Sequence, residues 1–232
     1  MSHAAALGPS PAASPELSFA LLADARLPTG SHTQSAGLEP ALRAGMDANM
    51  IPAYLEGRLR TVTRVEAGTA VVARHAVLAG SDLGAVRDAW AARTPSGALR
   101  AAGEQLGRGY LRLYRRLWPD APDGPTLARL GHPPRPLVVG AIAARSGLDA
   151  AQVVRLVGYD DAQTVASATL KLAPADPVDT VRWVLAAQPL IEEMVLDLQG
   201  LTDPTDIPGA SAPMAEQWAQ EHAVARERMF RA

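Results

Sequence analysis

The sequence contains no cysteine, a single lysine and few aromatic residues. The lack of cysteine excludes disulfide bonds and thiolate metal sites. With only 4% aromatic residues, the core must be built mainly from alanine, leucine and valine, and the first two are strong helix formers. Arginine supplies the other basic side chains, since only Lys171 among the 22 basic residues is a lysine.

Long apolar runs are also missing. No stretch approaches the roughly 20 apolar residues of a membrane helix, and Met1–Glu16 has neither the basic start nor the apolar run of a secretory signal. The net charge of −2 gives no argument for nucleic acid as the main partner. We therefore expect a cytoplasmic protein, with residues 1–16 as a flexible tail and residues 17–232 as one domain.

No catalytic or nucleotide-binding motif is recognisable. The sequence lacks a phosphate-binding Gly-x-x-x-x-Gly-Lys-Ser/Thr loop, and no two histidines have helical metal-ligand spacing. Ser31, His32 and Ser35 are close in sequence but lack a glycine-flanked nucleophile elbow. Asp160–Asp161 and Glu192–Glu193 are adjacent pairs that point in different directions on a helix, so we expect them to be solvated. The sequence predicts no enzyme and no metal site within one chain; a metal site shared across a symmetric dimer stays open.

Apolar residues recur at intervals of three and four, and sustained alternation of apolar and polar residues is missing. This pattern predicts an all-α single-domain bundle of about eight to ten helices. The predicted helices are Leu17–Ala25, Leu38–Ala44, Asn49–Ala79, Asp82–Ala92 with Ser81 as its cap, Ser96–Trp118, Leu137–Ser146, a helix from an Asp149 cap to Leu172, Asp179–Gln199 and Met214–Arg231.

The predicted helix Ser96–Trp118 is amphipathic and rich in arginine. Arg108, Arg112, Arg115 and Arg116 lie on or beside its polar side. One interpretation is a solvated helix face, and the other is contact with an acidic or phosphate-bearing partner. We expect the apolar stripe of this helix to consist of Leu99, Leu106, Tyr110, Leu113 and Leu117.

A polar segment, Leu27–Glu39, separates the first two predicted helices; we call it the polar loop. Pro28 cannot lie inside a helix and Gly30 permits a tight turn. The polar loop is either a helix–loop–helix corner or a recognition surface, since polar loops on a rigid scaffold often carry function. The apolar pair Met229–Phe230 between arginines is likewise open to two interpretations, a frayed end or part of a docking helix and tail over residues 213–232.

Five motifs in order along the chain resemble the urease accessory protein UreF family. The polar loop reads Leu-Pro-x-Gly-x-x-x-x-Ser-x-Gly-Leu-Glu, and it is similar to the signature of that family. The other four motifs are Gly-Arg-x-x-Leu-Arg-Leu from Gly107, His-Pro followed by Val-Val-Gly from His132, Lys-Leu-Ala-Pro from Lys171, and Arg-Met-Phe-Arg-Ala from Arg228. The sequence departs from the family pattern at His32 and Gln34, at Asp176–Pro177 and at Val181.

The resemblance implies an all-α protein that forms a homodimer and acts without catalysis of its own in loading nickel into apo-urease. It implies two further partners, the accessory protein UreD (also called UreH) and the nickel-carrying GTPase UreG. No cofactor is expected to bind stably, because nickel is handled by the complex. On this resemblance, the candidate partner-binding residues are Pro28, Gly30, Ser35, Gly37 and Glu39 in the polar loop, Arg108, Arg112 and Lys171 toward the GTPase, and Arg228, Phe230 and Arg231 in the docking tail.

Two other classes of function stay open at this point. One is a helical ligand-binding or regulatory domain unrelated to urease; its DNA-binding version requires a basic recognition helix near one end of the chain. The other is an enzyme that uses His32 or His132, which measured turnover and its loss in a His32→Ala variant would reveal.

Overall fold

The computed structural model describes residues 14–30, 33–225 and 229–230. Within these ranges the regular structure is entirely helical and no strand occurs, which confirms the all-α prediction. Two short 3-10 turns, Ala48–Met50 and Pro204–Asp206, accompany the α-helices. The α-helices are α1 (Pro15–Leu22), α2 (Leu38–Arg43), α3 (Ile51–Arg60), α4 (Val62–Ala79), α5 (Leu83–Ala92), α6 (Gly97–Leu117), α7 (Gly124–Arg129), α8 (Arg135–Arg145), α9 (Ala150–Leu172), α10 (Pro177–Leu198) and α11 (Pro213–Val224).

Helix ends follow the capping residues in the sequence. The Ser96 side chain accepts a hydrogen bond from the first turn of α6, and Asp149 forms a capping box at the start of α9. Gly80 ends α4 in the left-handed conformation with φ of 69°. The prediction of Ser81 as the next cap is wrong by one residue, because the Asp82 carboxylate accepts from the first turn of α5 instead.

The predicted helix Asn49–Ala79 is in fact two helices. At Thr61 the backbone leaves the helical region, with φ of −123° and ψ of −96°, and this break separates α3 from α4. The Thr61 hydroxyl donates to the carbonyl oxygen of Gly57 at 2.7 Å. Such a bond, four residues back along a helix, bends the helix, and the glycine offers no side chain to resist the bend.

The last helix is shorter than predicted. It ends at Val224 rather than Arg231, and Ala225 is extended with ψ of 136°. The backbone N–H groups of Met229 and Phe230 donate to the side chain of Glu39 rather than to helical carbonyls. This competing acceptor accounts for the end of the helical pattern before these residues.

The centre of the bundle is the pair α4 and α8, with the hairpin of α9 and α10 against it. An ideal Cβ at Gly140 of α8 would lie 2.4 Å from the carbonyl oxygen of Ala70 in α4. Gly158 of α9 is crowded to a lesser degree, since its Cβ would lie 2.9 Å from the Ile191 side chain of α10. Glycine therefore sets the distance between the central helices.

The buried face of α6 differs from the predicted leucine stripe. An ideal Cβ at Gly107 would lie 1.9 Å from the Pro133 carbonyl oxygen, so α6 lies directly on the backbone that leads into α8. Leu117 remains half exposed, and Leu99, Leu106 and Leu113 are only partly buried. Tyr110 of the predicted stripe is buried as expected, but its leucines are not, because glycines, which periodicity arguments ignore, form the contact. The buried residues are Gly103, Gly107, Tyr110, Leu111 and Tyr114.

Candidate docking surface

The first half of the polar loop rests on α6. An ideal Cβ at Gly109 would lie 2.0 Å from the carbonyl oxygen of Thr29, so this approach requires glycine in the helix. Arg112 Nη2 lies 3.5 Å from the carbonyl oxygen of Pro28. Pro28 is exposed, and Gly30 has a left-handed φ of 88° with open space where a Cβ would be. Between Gly30 and the second half of the loop, Ser31 and His32 fall outside the described residues.

The second half of the polar loop is a tight turn held by α3. Ala36 and Gly37 both have left-handed backbones, with φ of 52° and 78°. The Tyr54 hydroxyl donates to the Ala36 carbonyl oxygen at 2.7 Å, and a Cβ at Gly37 would lie 2.8 Å from that hydroxyl. Ser35 is fully buried and its hydroxyl oxygen accepts from the N–H of Glu39 at 3.3 Å.

Glu39 joins the polar loop to residues far away in sequence. Its two carboxylate oxygens accept from the N–H groups of Met229 and Phe230, each at 2.8 Å. The carboxylate also pairs with Arg43 Nε at 3.2 Å, and its side chain is 1% exposed. Hydrogen bonds from N–H groups to a buried carboxylate are among the stronger ones in proteins. We call this arrangement the Glu39 clasp.

The clasp places Phe230 inside the protein. Its side chain is only 4% exposed, and Lys171 Nζ, on an exposed residue, lies 5.2 Å from the ring centroid in a cation–π contact. His222 Nε2 lies 3.4 Å from the Phe230 carbonyl oxygen and 4.0 Å from Glu39. Two other residues predicted to dock, Arg228 and Arg231, lie outside the described residues.

Below the polar loop lies a buried ion-pair cluster. Asp161 accepts from Arg58 Nε and Nη2 at 3.0 and 2.5 Å and from the Thr63 hydroxyl at 2.8 Å. Arg135 bridges Glu66 at 2.7 Å and Asp160 at 2.8 Å. The expectation that Asp160 and Asp161 are solvated is therefore wrong. Their side chains do diverge, as adjacent helical residues must, but each meets an arginine from another helix.

The three acids of the cluster differ in how easily they ionise. Burial opposes ionisation of Asp161, but the charge of Arg58 and hydrogen bonds from Arg58 and Thr63 outweigh it and hold the pKa of Asp161 below its ordinary value. Burial raises the pKa values of Glu66 and Asp160, and the charge of Arg135 only partly offsets that effect. Asp161 is thus the most firmly charged carboxylate of the three.

A cavity of about 260 Å³ opens above the ion-pair cluster. Trp90, Leu99 and Leu106 contribute to its apolar wall, while Glu66 and Asp160 contribute to its polar part. Residues of the polar loop and of α11 also line it. Leu99 and Leu106 of α6 therefore face an open space rather than the bundle core.

The structure brings three of the five predicted polar-loop residues together with Phe230 and Lys171, whereas Arg108 lies apart from them. Ser35 and Glu39 form one hydrogen-bonded unit with the buried Phe230, and Gly37 lies in the turn between Ser35 and Glu39. Arg108 is exposed on α6, and Arg112 contacts the Pro28 carbonyl oxygen of the polar loop. None of this tests whether these residues bind a partner, so that remains a prediction.

Sequence reasoning missed Arg58 and Tyr54, which support the site from α3. A signal for Arg58 exists, because it falls among Ile51, Leu55 and Leu59 on the apolar side of that helix, where a charge requires a buried partner. Nothing in the sequence identifies Asp161 as that partner, since the two residues are 103 positions apart.

The fold and the site together define an all-α helical bundle that presents a rigidly held polar loop. In its described residues, no helix has the length and hydropathy for a membrane span, and no group of three or more His, Asp or Glu side chains is arranged to hold a metal ion.

Comparison with known proteins identifies the family. The UreF family model matches residues 46–188. A urease accessory protein UreF of Mycobacterium sp. (strain JLS) is 35% identical over 211 residues, covering 90% of this chain and 95% of that protein. The UreF proteins of Mycolicibacterium vanbaalenii and of Mycobacterium tuberculosis (strain ATCC 25177 / H37Ra) are 38% and 34% identical, covering 79% and 87% of this chain and 87% and 91% of those proteins. The chain belongs to the UreF family of urease accessory proteins.

Proposed function

We propose that this protein is a non-enzymatic scaffold for urease maturation. In this role it binds the accessory protein UreD/UreH, recruits the GTPase UreG and assists GTP-dependent insertion of nickel into apo-urease. The proposal includes a homodimer in the cytoplasm and no stably bound cofactor, with nickel handled by the assembled complex. The family membership carries this proposal.

The Glu39 clasp supports the scaffold role. A docking surface must keep its shape before the partner arrives, because ordering a segment on binding reduces affinity. Here two left-handed residues, the Tyr54 hydroxyl and the buried carboxylate of Glu39 all constrain the polar loop. The constraint acts on one of the five motifs that resemble the family. We infer that the polar loop and the adjoining Lys171 form a preformed partner-binding surface.

Genetic complementation tests the overall proposal. A urease-positive strain that lacks its own UreF is supplied with this chain together with the cognate UreD/UreH and UreG. We expect urease activity and urease-bound nickel to be restored. Unrestored activity with all partners expressed and soluble would contradict the scaffold role.

A pair of substitutions tests the docking tail within that assay. Phe230→Ala removes a buried ring, whereas Met229→Ala changes a neighbour that is 63% exposed. Because Phe230 anchors the tail, we expect Phe230→Ala to reduce co-purification of UreD/UreH or UreG while the helical circular dichroism signal stays intact. We expect Met229→Ala to leave co-purification unchanged. Normal complex formation by Phe230→Ala would remove the tail from the proposed surface.

A further inference from the structure

The exposed side of α6 carries a row of arginines. At 100° per residue, Arg108, Arg112, Arg115 and Arg116 fall within an arc of about 100°, and all four are exposed. The row extends about 12 Å along the helix from Arg108 to Arg116. This arc lies opposite the buried face of Gly103, Gly107 and Tyr114. We call these four residues the arginine row.

Among the described residues, no acidic side chain neutralises the arginine row. No ion pair joins any of its members to an acid within residues 14–30, 33–225 and 229–230, although Glu104 lies only one turn before Arg108. Within the described residues, Arg112 makes a long hydrogen bond to the Pro28 carbonyl oxygen. Arg115 and Arg116 lie in the last helical turn, where cations favour the helix dipole. The helix dipole does not account for Arg108 and Arg112, because they lie before the last turn of α6.

The charge of α6 contrasts with the rest of the chain. The helix carries five arginines and one acid, whereas the protein as a whole has a net charge of −2. Many other exposed arginines have acidic partners, as Arg60 does with Glu56 and Arg182 with Asp179. The positive charge of α6 is thus a local feature, and an incompletely paired one.

A leucine edge runs beside the arginine row. Leu113 is half-buried and Leu117 is 50% exposed, and both fall between the arginines and the buried face in the helical projection. Arginine and exposed apolar side chains together are typical of protein interfaces. A phosphate backbone would pair with the arginines but would not cover the leucines. The combination of charge and apolar surface therefore favours a protein partner over a nucleic acid.

We infer that the arginine row and its leucine edge form a docking surface for an acidic amphipathic helix of a partner protein. Carboxylates on successive turns of such a helix repeat at about 6 Å, which is the spacing from Arg108 to Arg112 and from Arg112 to Arg116. Apolar residues beside those carboxylates cover Leu113 and Leu117. The inference rests on the proposed scaffold role for its biological meaning, since it names the chemistry of one partner.

A binding experiment with defined probes tests the surface separately from urease activation. The purified full chain is titrated against a fluorescent helical peptide with leucines on one face and glutamates beside them. A peptide of the same composition in scrambled order and a single-stranded DNA oligonucleotide serve as comparison probes. We expect the helical peptide to bind more tightly than either comparison, and its affinity to fall as salt rises.

Charge reversals locate the binding site. R108E/R112E/R116E should weaken peptide binding about tenfold or more, since three favourable pairs become repulsive. The control R60E/R87E/R182E changes the net charge equally at exposed arginines elsewhere and should weaken binding less than about threefold. Leu117→Ser should weaken binding of the helical peptide and leave binding of the DNA unchanged, because only the peptide covers that side chain.

Several results would overturn the inference. These are no binding of the helical peptide, equal binding of the scrambled peptide, equal losses in the two triple variants, or DNA that binds more tightly with the same variant dependence. If the charge-reversed chain loses its helical signal, R108Q/R112Q/R116Q replaces it, with an expected loss of about threefold or more. Failed urease complementation together with intact peptide binding would contradict the proposed function but would still support the docking surface.

Discussion

In the buried ion-pair cluster, we expect two similar substitutions to lower the free energy of unfolding by very different amounts. Asp161→Asn removes the charge that faces Arg58 and turns an amide N–H group toward a guanidinium. Arg58 is about one-tenth exposed, and Asp161 is its only ion-pair partner among the described residues. Losing one partner of a buried pair typically costs about 3–5 kcal/mol, so we expect the free energy of unfolding to fall by that amount.

Glu66→Gln is the matched control in the same cluster. Burial raises the pKa of Glu66, so the site already disfavours the charged form that the substitution removes. The glutamine carbonyl can still accept from Arg135 Nη1, and Arg135 keeps its second partner, Asp160. We expect a loss of about 1 kcal/mol or less.

Denaturant and thermal unfolding measure the contrast. For a chain of this size, each kcal/mol shifts Tm by about 2–4 °C, so Asp161→Asn should melt on the order of 10 °C lower and Glu66→Gln within a few degrees of the parent. Circular dichroism at 222 nm follows both transitions. Equal losses in the two variants, or a loss below about 1 kcal/mol for Asp161→Asn, would refute the reasoning from the pKa shifts.

The same shifts determine how the Asp161→Asn defect depends on pH. Because the pKa of Asp161 is lowered below 3.8, its contribution to stability is present above that value and is lost as the pH falls through the folded-state pKa. Glu66 and Asp160, whose pKa values are raised, contribute with the opposite sign. We therefore expect the stability gap between the parent and Asp161→Asn to stay constant from pH 7 to about 4 and to narrow as the pH falls below 3.8, as read from urea midpoints. A gap that narrows above pH 4, or that does not narrow below 3.8, would contradict this linkage.

Two further predictions concern the polar loop. Gly37→Ala should lower the free energy of unfolding by about 2 kcal/mol or more, because the added Cβ would lie 2.8 Å from the Tyr54 hydroxyl on a backbone that is already left-handed. Gly30→Ala is strained only in its backbone and should lower it by about 1 kcal/mol. Equal shifts of Tm in the two variants would count against the clash at Gly37. Glu39→Gln should speed hydrogen exchange of the Phe230 amide about tenfold or more, since a charged acceptor becomes a neutral one, and unchanged exchange by mass spectrometry would show that the clasp does not hold this segment.

The sequence predicts the helices well because their ends depend on local chemistry. Asp149 caps α9 and Gly80 ends α4 using contacts within a few residues. The errors arise where a distant group intervenes. The last helix does not extend to Met229, because the Met229 N–H donates to the Glu39 carboxylate, 190 positions earlier, rather than to a helical carbonyl oxygen.

The candidate site was only partly predictable for the same reason. The polar loop is recognisable because proline, glycine and capping residues cluster there. The ion-pair cluster is not, since the partnership of Arg58 and Asp161 depends on how α3 meets α9. Gly107 and Gly109 are also invisible to periodicity, although each allows a backbone contact that places α6.

The Glu39 clasp gives this protein an order of assembly during translation. Phe230 is synthesised 191 residues after Glu39. In a nascent chain that has not reached Met229 and Phe230, the Glu39 carboxylate therefore lacks the two backbone N–H groups that donate to it in the folded protein. Until those donors arrive, water or a chaperone must solvate Glu39, and the turn at Ala36–Gly37 is held from one side only. The turn at Ala36–Gly37 therefore reaches its mature shape only after residues 229–230 have been synthesised.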